Sequence, residues 1–176
     1  IWFVLGAGFI LAFITGLFGE DPFRSFWSNF ERMEGVVAYL YLGAYWLVLS
    51  SVITTKKLWL GLFNTTLVAS LVVSLYAVLQ IAGLIAIQQG GVRIDGTLGN
   101  AAYLASYLLF HVFIAFYLAV TTKNDWARYF YIFVVLLQTY LLFETATRGA
   151  ILGLIVGVIT ALVFMAWRSR HEPRIR

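Results

Sequence analysis

Long apolar stretches with very few charges are the feature of this sequence that most restricts its fold. A helix that crosses a bilayer needs about 20 consecutive, mostly apolar residues. Six stretches approach or exceed that length: about 1–18, 36–54, 58–82, 98–120, 129–144 and 149–167. Charged residues make up 11% of the chain, against about 25% in soluble domains. The sequence therefore predicts an all-α polytopic membrane helix bundle with about six transmembrane helices.

These stretches divide the chain into three predicted parts. Residues 1–57 carry two transmembrane helices joined by an outer amphipathic loop at 19–35, residues 58–167 carry a core of four transmembrane helices, and residues 168–176 form a basic cytoplasmic tail. The chain begins within an apolar stretch and without a methionine, so we interpret it as a piece of a longer polytopic protein. The first stretch lacks the basic start and small-residue cleavage site of a signal peptide, which favours a transmembrane helix.

The basic residues of the connecting segments predict the orientation of the bundle. These segments fall into two sets that alternate along the chain, 55–57, 121–128 and 168–176 in one set and 19–35, 83–97 and 145–148 in the other. The first set holds eight lysines and arginines and the second holds four. Because cytoplasmic loops carry the excess of basic residues, we expect the second set to face outward. The pI near 9.5 then reflects topology, and no nucleic-acid partner is predicted.

The outer loop at 19–35 has the pattern of a short interfacial helix. Asp21 is a preferred N-cap residue and Pro22 fits the first helical position. Large apolar residues then recur at helical spacing on one face: Phe23, Phe26, Trp27, Phe30 and Met33. Such a helix would lie in the outer interface of the membrane. An ordinary amphipathic connector explains the same pattern equally well.

Polar side chains follow one face of the fourth predicted transmembrane helix. They fall at i, i+3, i+7 and i+11 and are Asn100, Tyr103, Tyr107 and His111. Polar groups are costly in lipid, so each requires a partner or a purpose. The stripe would either line a lipid or glycan groove or supply hydrogen bonds between helices.

Two rows of small residues repeat every four positions and predict close helix packing. One row lies on the third predicted helix and the other on the sixth: Thr66, Ser70 and Ser74, and Gly149, Gly153 and Gly157. Small residues let helix backbones approach each other in the membrane. We interpret both rows as packing faces.

Three arginines on the predicted outer side favour an anion site. Arg32 precedes the second transmembrane helix, Arg93 precedes the fourth and Arg148 begins the sixth, although the positive-inside rule disfavours arginine on that side. A guanidinium makes two-point contacts with phosphate oxygens and helix N-termini attract anions, so together they predict a diphosphate-binding face. The alternative is that Arg148 pairs with Glu144 at i, i+4 and that Arg32 pairs with a neighbouring glutamate.

Three sequence runs resemble elements of the O-antigen ligase and polymerase superfamily. The family's helix-start element, G-T-x-G-N-x-N-x-L-A, is similar to Gly96-Thr-Leu-Gly-Asn-Ala-Ala-Tyr-Leu-Ala-Ser-Tyr-Leu108. Its S-R-G-A-x-x-G-L element resembles Thr145-Ala-Thr-Arg-Gly-Ala-Ile-Leu-Gly-Leu154, and its upstream R-x-E-G element resembles Arg32-Met-Glu-Gly35. All three occur in the family's order and on the predicted outer face.

The chain also departs from the family pattern. Ala102 stands where the family often has a second asparagine, and Thr147 replaces the serine before the arginine. Family members have about a dozen transmembrane helices, and a large periplasmic loop after this region carries a histidine important for transfer. Nothing in this chain resembles that loop, since His171 lies in the basic tail. The catalytic histidine is therefore expected outside this segment.

The resemblance implies part of a larger GT-C-like membrane fold and an inverting, metal-independent glycosyltransferase without a cofactor. The donor would be a polyprenyl-diphosphate-linked glycan, and the acceptor a lipid A core, another glycan or a protein hydroxyl. The enzyme would lie in a bacterial inner membrane, in contact with lipid, with its active face in the periplasm. Two sets of site residues are predicted: Arg93, Arg148 and Arg32 for the diphosphate, and Asn100, Tyr103 and Thr147 for a glycan or lipid groove.

A non-enzymatic membrane protein is the competing class. A transporter or a structural subunit explains the helices and the small-residue rows equally well. It does not explain arginines at three outward helix starts. A transporter would also be expected to show broken helices or an inverted repeat near the middle of the membrane, and the sequence shows neither.

Overall fold

The computed structural model of the chain describes residues 2–28, 35–88 and 91–171. Within these residues the regular structure is entirely helical, which confirms the predicted all-α class. The helices, in order, are α1 (Trp2–Leu17), α2 (Pro22–Trp27), α3 (Val36–Val52), α4 (Lys56–Ile81), α5 (Ala101–Thr121), α6 (Asp125–Glu144) and α7 (Arg148–His171). A short 3₁₀ turn, Gly96–Leu98, precedes α5.

Four of these helices are long and apolar enough to cross a membrane. They are α4, α5, α6 and, as far as Trp167, α7. Helices α1 and α3 are apolar but shorter, with 16 and 17 residues. The structure is therefore compatible with a membrane helix bundle, and the count of about six spans stays a prediction. Helix α7 continues to His171, within the predicted tail, whose residues 172–176 lie outside the described residues.

The chain forms two compact units, Ile1–Trp59 and Leu60–Arg176. Two apolar clusters build the core of the second unit. The first apolar cluster consists of Ala77, Ile94, Leu104, Ala105, Leu108, Leu141, Leu142 and Ala150. The second apolar cluster consists of Leu67, Ala115, Leu118 and Val134. Both clusters draw residues from α4, α5 and α6, so these three helices pack against one another in both clusters.

Hydrogen bonds between side chains add a second kind of contact between α4 and α6. The Gln138 Nε2 group donates to Ser70 Oγ at 2.7 Å, and the Tyr131 hydroxyl donates to Asn64 Oδ1 at 2.7 Å. Such bonds between helices stabilise association in lipid, where apolar surface alone gives little preference for a neighbouring helix. Helices α4 and α6 are thus joined at two levels.

Two of the three glycines in the predicted row on α7 pack closely against α5. A Cβ atom on Gly157 would lie 2.4 Å from the Phe113 ring, and one on Gly153 would lie 3.2 Å from Leu109 Cδ2. Both neighbours belong to α5, so the absence of side chains lets α5 and α7 approach closely. Gly149, at the start of the row, has open space around it.

In the first unit, the predicted start of the interfacial helix is confirmed. Asp21 caps α2, because its Oδ1 accepts a hydrogen bond from Arg24 N at 3.1 Å, and Pro22 is the first helical residue. The Phe26 ring packs edge-to-face on Phe13 of α1, with ring centroids 5.4 Å apart. The helix ends at Trp27, and the predicted continuation through Phe30 and Met33 lies outside the described residues.

Gly35 lies directly against the backbone of α2. A Cβ atom at this position would lie 2.1 Å from Phe26 O and 2.9 Å from Trp27 N. Its φ of −80° is an ordinary value, so the requirement for glycine comes from space alone. This contact holds the start of α3 against the end of α2.

We expect Gly35→Ala to destabilise the first unit, because a backbone neighbour cannot rotate away as a side chain can. Overpacking of this kind costs about 1–3 kcal/mol. Thermal unfolding in detergent and amide hydrogen exchange at Ser25 and Ser28 measure the effect. Gly8→Ala is the matched control, since a Cβ there has nothing within 4 Å. Equal stability of the two variants would contradict the close approach.

Candidate functional site

Four segments meet at one end of the second unit. They are the end of α4, the loop at 91–99, the start of α5 and the turn between α6 and α7. Polar contacts of buried or half-buried groups join all four. This end of the bundle carries most of the residues that the sequence singles out, and we call it the loop end.

Gln80 ties the loop to the end of α4. Its Nε2 group donates to Asp95 Oδ1 at 2.6 Å and to Ala86 O at 3.2 Å. Its Oε1 atom accepts from the backbone N–H groups of Gly96 at 2.8 Å and Asp95 at 3.3 Å. Gln80 and Asp95 are both buried. Because buried polar groups require partners, this one amide fixes the path of the loop.

The run from Gly96 to Asn100 forms the predicted turn and helix start. Gly96 has φ +57° and Gly99 has φ +65°, values that favour glycine. A Cβ on Gly96 would also lie 3.0 Å from Leu104. Asn100 is the N-cap of α5, and its Oδ1 accepts from Ala102 N at 2.8 Å and from Tyr103 N at 3.4 Å. The glycines of this run therefore form the turn, and its asparagine caps α5.

The turn between α6 and α7 is held by its own threonine. Thr145 is buried, and its hydroxyl donates to Leu142 O at 2.7 Å and accepts from Thr147 N at 3.3 Å. Ala146 has φ +49°, which is uncommon for a residue with a side chain. The turn is thus short and braced by its own hydrogen bonds.

Arg93 clamps the loop onto this turn. Its Nε donates to Thr145 O at 2.7 Å and its Nη2 donates to Thr147 Oγ1 at 2.8 Å. The same Thr147 hydroxyl lies 3.4 Å from Ala101 O at the start of α5. A guanidinium has five N–H donors, so three remain beyond these contacts in the described part of the chain. Arg93 is exposed.

Arg148 is exposed as the first residue of α7, next to the hydroxyl that Arg93 contacts. The alternative ion pair with Glu144 does not form among the described residues, where the one salt bridge joins Arg128 and Asp125 at 2.9 Å. Gly149 beside it is exposed, with open space around its Cα. Two arginines and a helix N-terminus therefore lie at the loop end.

The other predicted site residues are placed differently from one another. Tyr103 is 55% exposed, whereas His111 is buried at 7% exposure. Tyr103 and His111 belong to the same predicted stripe but differ in exposure. The Tyr107 and His111 rings lie 4.2 Å apart. Arg32 lies outside the described residues, and nothing places it relative to the loop end.

Sequence reasoning missed the residues that assemble this site. Gln80 falls within the apolar stretch at 58–82, and Asp95 falls within the connecting segment at 83–97. A buried partner 15 residues away leaves no periodic signal, although a glutamine at the end of an apolar helix is itself unusual. Thr145 begins one of the runs that resemble a family motif, but the sequence does not predict its buried hydroxyl or the contact of its carbonyl with Arg93.

No protein-family model, curated protein or solved structure matches the chain. The described residues contain no group of three or more His, Cys, Asp or Glu side chains that could hold a metal ion. An apolar cavity of about 230 Å³ lies between α5, α6 and α7, with Thr139 as its polar residue. None of the predicted site residues lines that cavity.

We expect Gln80→Leu to release the loop at 91–99, because it removes the hydrogen bonds of Gln80 to the Asp95 carboxylate and to the backbone N–H groups of Asp95 and Gly96. A buried group that loses its partner costs about 1–3 kcal/mol. Hydrogen exchange at the Asp95 and Gly96 amides should accelerate strongly, and thermal stability should fall. Ser106→Ala is the control, since that hydroxyl bonds only its own helix at Ala102 O. Unchanged exchange at Gly96 would mean that the loop holds its shape without Gln80.

Proposed function

We propose that this chain is part of a membrane glycosyltransferase that uses a polyprenyl-diphosphate-linked glycan as donor, as in O-antigen ligases and polymerases. The observation that carries the proposal is the clamp of Arg93 on the α6–α7 turn. It brings Arg93, Thr147 and Arg148 together on braced backbone at the loop end. The motif resemblance supports the same assignment.

Electrostatics favours a diphosphate at this position. Arg148 is exposed and makes no ion pair among the described residues, and Arg93 keeps three N–H donors beyond its clamp. The N-terminus of α7 adds partial positive charge where Arg148 stands. Two guanidinium groups and a helix N-terminus form a site for an anion with several phosphate oxygens.

The neighbouring residues fit a sugar or lipid contact. Asn100 fixes the start of α5 by capping it, and Tyr103 one turn later is exposed. Thr147 links α5 to the turn through its hydroxyl, 3.4 Å from Ala101 O. In this proposal the three residues form the wall next to the diphosphate.

The proposed reaction transfers the glycan with inversion and without a metal. An acceptor hydroxyl forms a bond to the anomeric carbon while the bond from that carbon to the diphosphate oxygen breaks. The arginines stabilise the negative charge that develops on the leaving diphosphate. The acceptor proton passes to a histidine expected outside this segment. The acceptor is a glycan, a lipid A core or a protein hydroxyl, and the site faces the periplasm of a bacterial inner membrane.

A transporter or structural subunit remains the second candidate for the class of this protein. The apolar helices and the glycine row on α7 serve it equally well. It gives no reason for an arginine that begins α7 and forms no ion pair with Glu144 or with any other described residue. The substitution of Arg148 therefore separates the two classes.

We expect Arg148→Lys to reduce glycan transfer by the complete protein by roughly 10- to 100-fold or more. Lysine keeps the charge but loses the two-point geometry. A charge-assisted hydrogen bond contributes about 1.5–3 kcal/mol, and each 1.36 kcal/mol is about tenfold in rate. Transfer is measured at matched expression in membranes.

The two control variants for this prediction change charged residues that are not part of the proposed site. Arg128→Lys changes an exposed arginine that pairs with Asp125, and Glu144→Gln removes the carboxylate that Arg148 does not contact. Both should leave transfer close to that of the unchanged protein. Near-normal transfer by Arg148→Lys would rule out the two-point diphosphate contact, and no transfer by any form would favour the non-enzymatic class.

We also expect the loop end to face outward, because the opposite ends of the helices carry the excess of basic residues. The chain contains no cysteine, so one introduced cysteine is its single thiol. A cysteine replacing Thr97 should react with an impermeant thiol reagent in spheroplasts, and one replacing Lys56 should react only after permeabilisation. The reverse pattern of labelling would place the arginines in the cytoplasm and remove the basis for a periplasmic site.

A further inference from the structure

A layer of buried polar side chains separates the two apolar clusters of the second unit. It consists of Ser70 and Ser74 on α4, His111 on α5 and Gln138 on α6. Along each helix, a residue of one apolar cluster lies on either side of it. These flanking pairs are Leu67 and Ala77, Ala115 and Leu108, and Val134 and Leu141. The four side chains therefore lie at one level of the bundle, which we call the polar layer.

Burial makes the polar layer costly unless its groups find partners. Ser70, Ser74 and Gln138 are fully buried and His111 is 7% exposed. Three of their atoms have no hydrogen-bond partner in the described part of the chain: Ser74 Oγ, His111 Nε2 and Gln138 Oε1. A buried polar group without a partner is rare in folded proteins. Three at one level point to a shared partner.

The chemical nature of the unpartnered atoms on His111 and Gln138 follows from their other contacts. His111 Nδ1 lies 2.8 Å from Tyr107 O. A carbonyl oxygen only accepts, so Nδ1 carries the proton and Nε2 of the neutral ring is an acceptor. Gln138 Nε2 donates to Ser70 Oγ, which leaves its Oε1 as a second acceptor.

The polar layer leaves two acceptors without a donor. Ser70 donates its single hydroxyl proton to Leu67 O at 2.7 Å. Ser74 has one hydroxyl proton and Gln138 Nε2 has a second N–H, but no donor among the described residues reaches His111 Nε2 or Gln138 Oε1. In this arrangement both acceptors are satisfied only when a further molecule supplies protons. The missing partner must donate twice and can accept once, which is the hydrogen-bonding pattern of water.

We propose that the polar layer binds a water molecule that donates to His111 Nε2 and Gln138 Oε1 and accepts from Ser74 Oγ. Buried waters typically make about three hydrogen bonds to polar groups that lack other partners. This water joins α4, α5 and α6 at one point and fixes the rotation of α5 against its neighbours. The proposal holds whether or not the chain belongs to a transferase.

A dry arrangement is the competing account. It turns the Gln138 amide by half a rotation and the Ser70 hydroxyl away from Leu67 O. Gln138 Oε1 would then accept from Ser70, and Gln138 Nε2 would donate to His111 directly. The two arrangements place different protons next to His111 Nε2. Water protons exchange with the solvent, whereas amide protons belong to Gln138.

Water-edited solid-state ¹⁵N NMR in lipid bilayers distinguishes the two. The chain has two histidines, so His171→Gln leaves His111 as its single labelled imidazole. We expect an unprotonated Nε2 that receives magnetisation from water as early as the exposed loop amide of Gly91, and well before the buried amide of Ala105. A proton on Nε2, or transfer from the Gln138 amide without a water signal, would overturn the proposal.

A pair of serine variants locates the water. Ser74→Ala removes its donor and should abolish the early water signal at His111. Ser106→Ala removes an exposed hydroxyl of α5 that bonds only Ala102 O, and it should leave that signal unchanged. If Ser74→Ala also leaves the signal unchanged, the water that reaches His111 is not held by the polar layer and the proposed site is wrong.

Discussion

The hydrogen bonds of Arg93 to the α6–α7 turn are the contacts on which the loop end depends. In a membrane, the apolar side of a helix gains little by leaving lipid for another apolar helix, so polar contacts decide which helix ends meet. Arg93 reaches a backbone carbonyl and a hydroxyl 52 and 54 residues away in the chain. Gln80 holds the same loop in place, because its Oε1 atom accepts hydrogen bonds from the backbone N–H groups of Asp95 and Gly96. The position of Arg148 follows from these two side chains.

The same principle acts inside the second unit. Its apolar clusters pack α4, α5 and α6 together, but apolar packing alone tolerates rotation and sliding of one helix against another. The bond from Gln138 to Ser70 fixes α6 against α4, and the bond from Tyr131 to Asn64 does so nearer the opposite end. His111 on α5 lies at the level of Gln138, and its ring makes no hydrogen bond to α4 or α6 among the described residues. The relative position of the three helices thus depends on a few polar side chains within an otherwise apolar core.

Local signals in the sequence predicted local structure well. Asp21 and Asn100 cap the helices that follow them, and the glycine row on α7 receives side chains of α5. Periodicity and capping involve neighbours within one or two turns, so a single sequence contains them. The partners of Gln80 and Gln138 lie 15 and 68 residues away, and no spacing rule connects them. The predicted stripe shows the same limit, since a helical period places Tyr103 and His111 on one face but does not say how much of that face is covered.

The contacts of Arg93 also explain why two departures from the resembled motifs differ in weight. Position 147 needs a hydroxyl, because Nη2 of Arg93 bonds the oxygen there at 2.8 Å. Threonine supplies that oxygen as serine would, and its extra methyl group does not enter the contact. At position 102 the alanine is exposed, and its backbone N–H is already satisfied by Asn100. An asparagine there would add a polar group to the surface without serving the cap. Position 147 therefore helps to hold the loop end together, whereas position 102 lies on its surface.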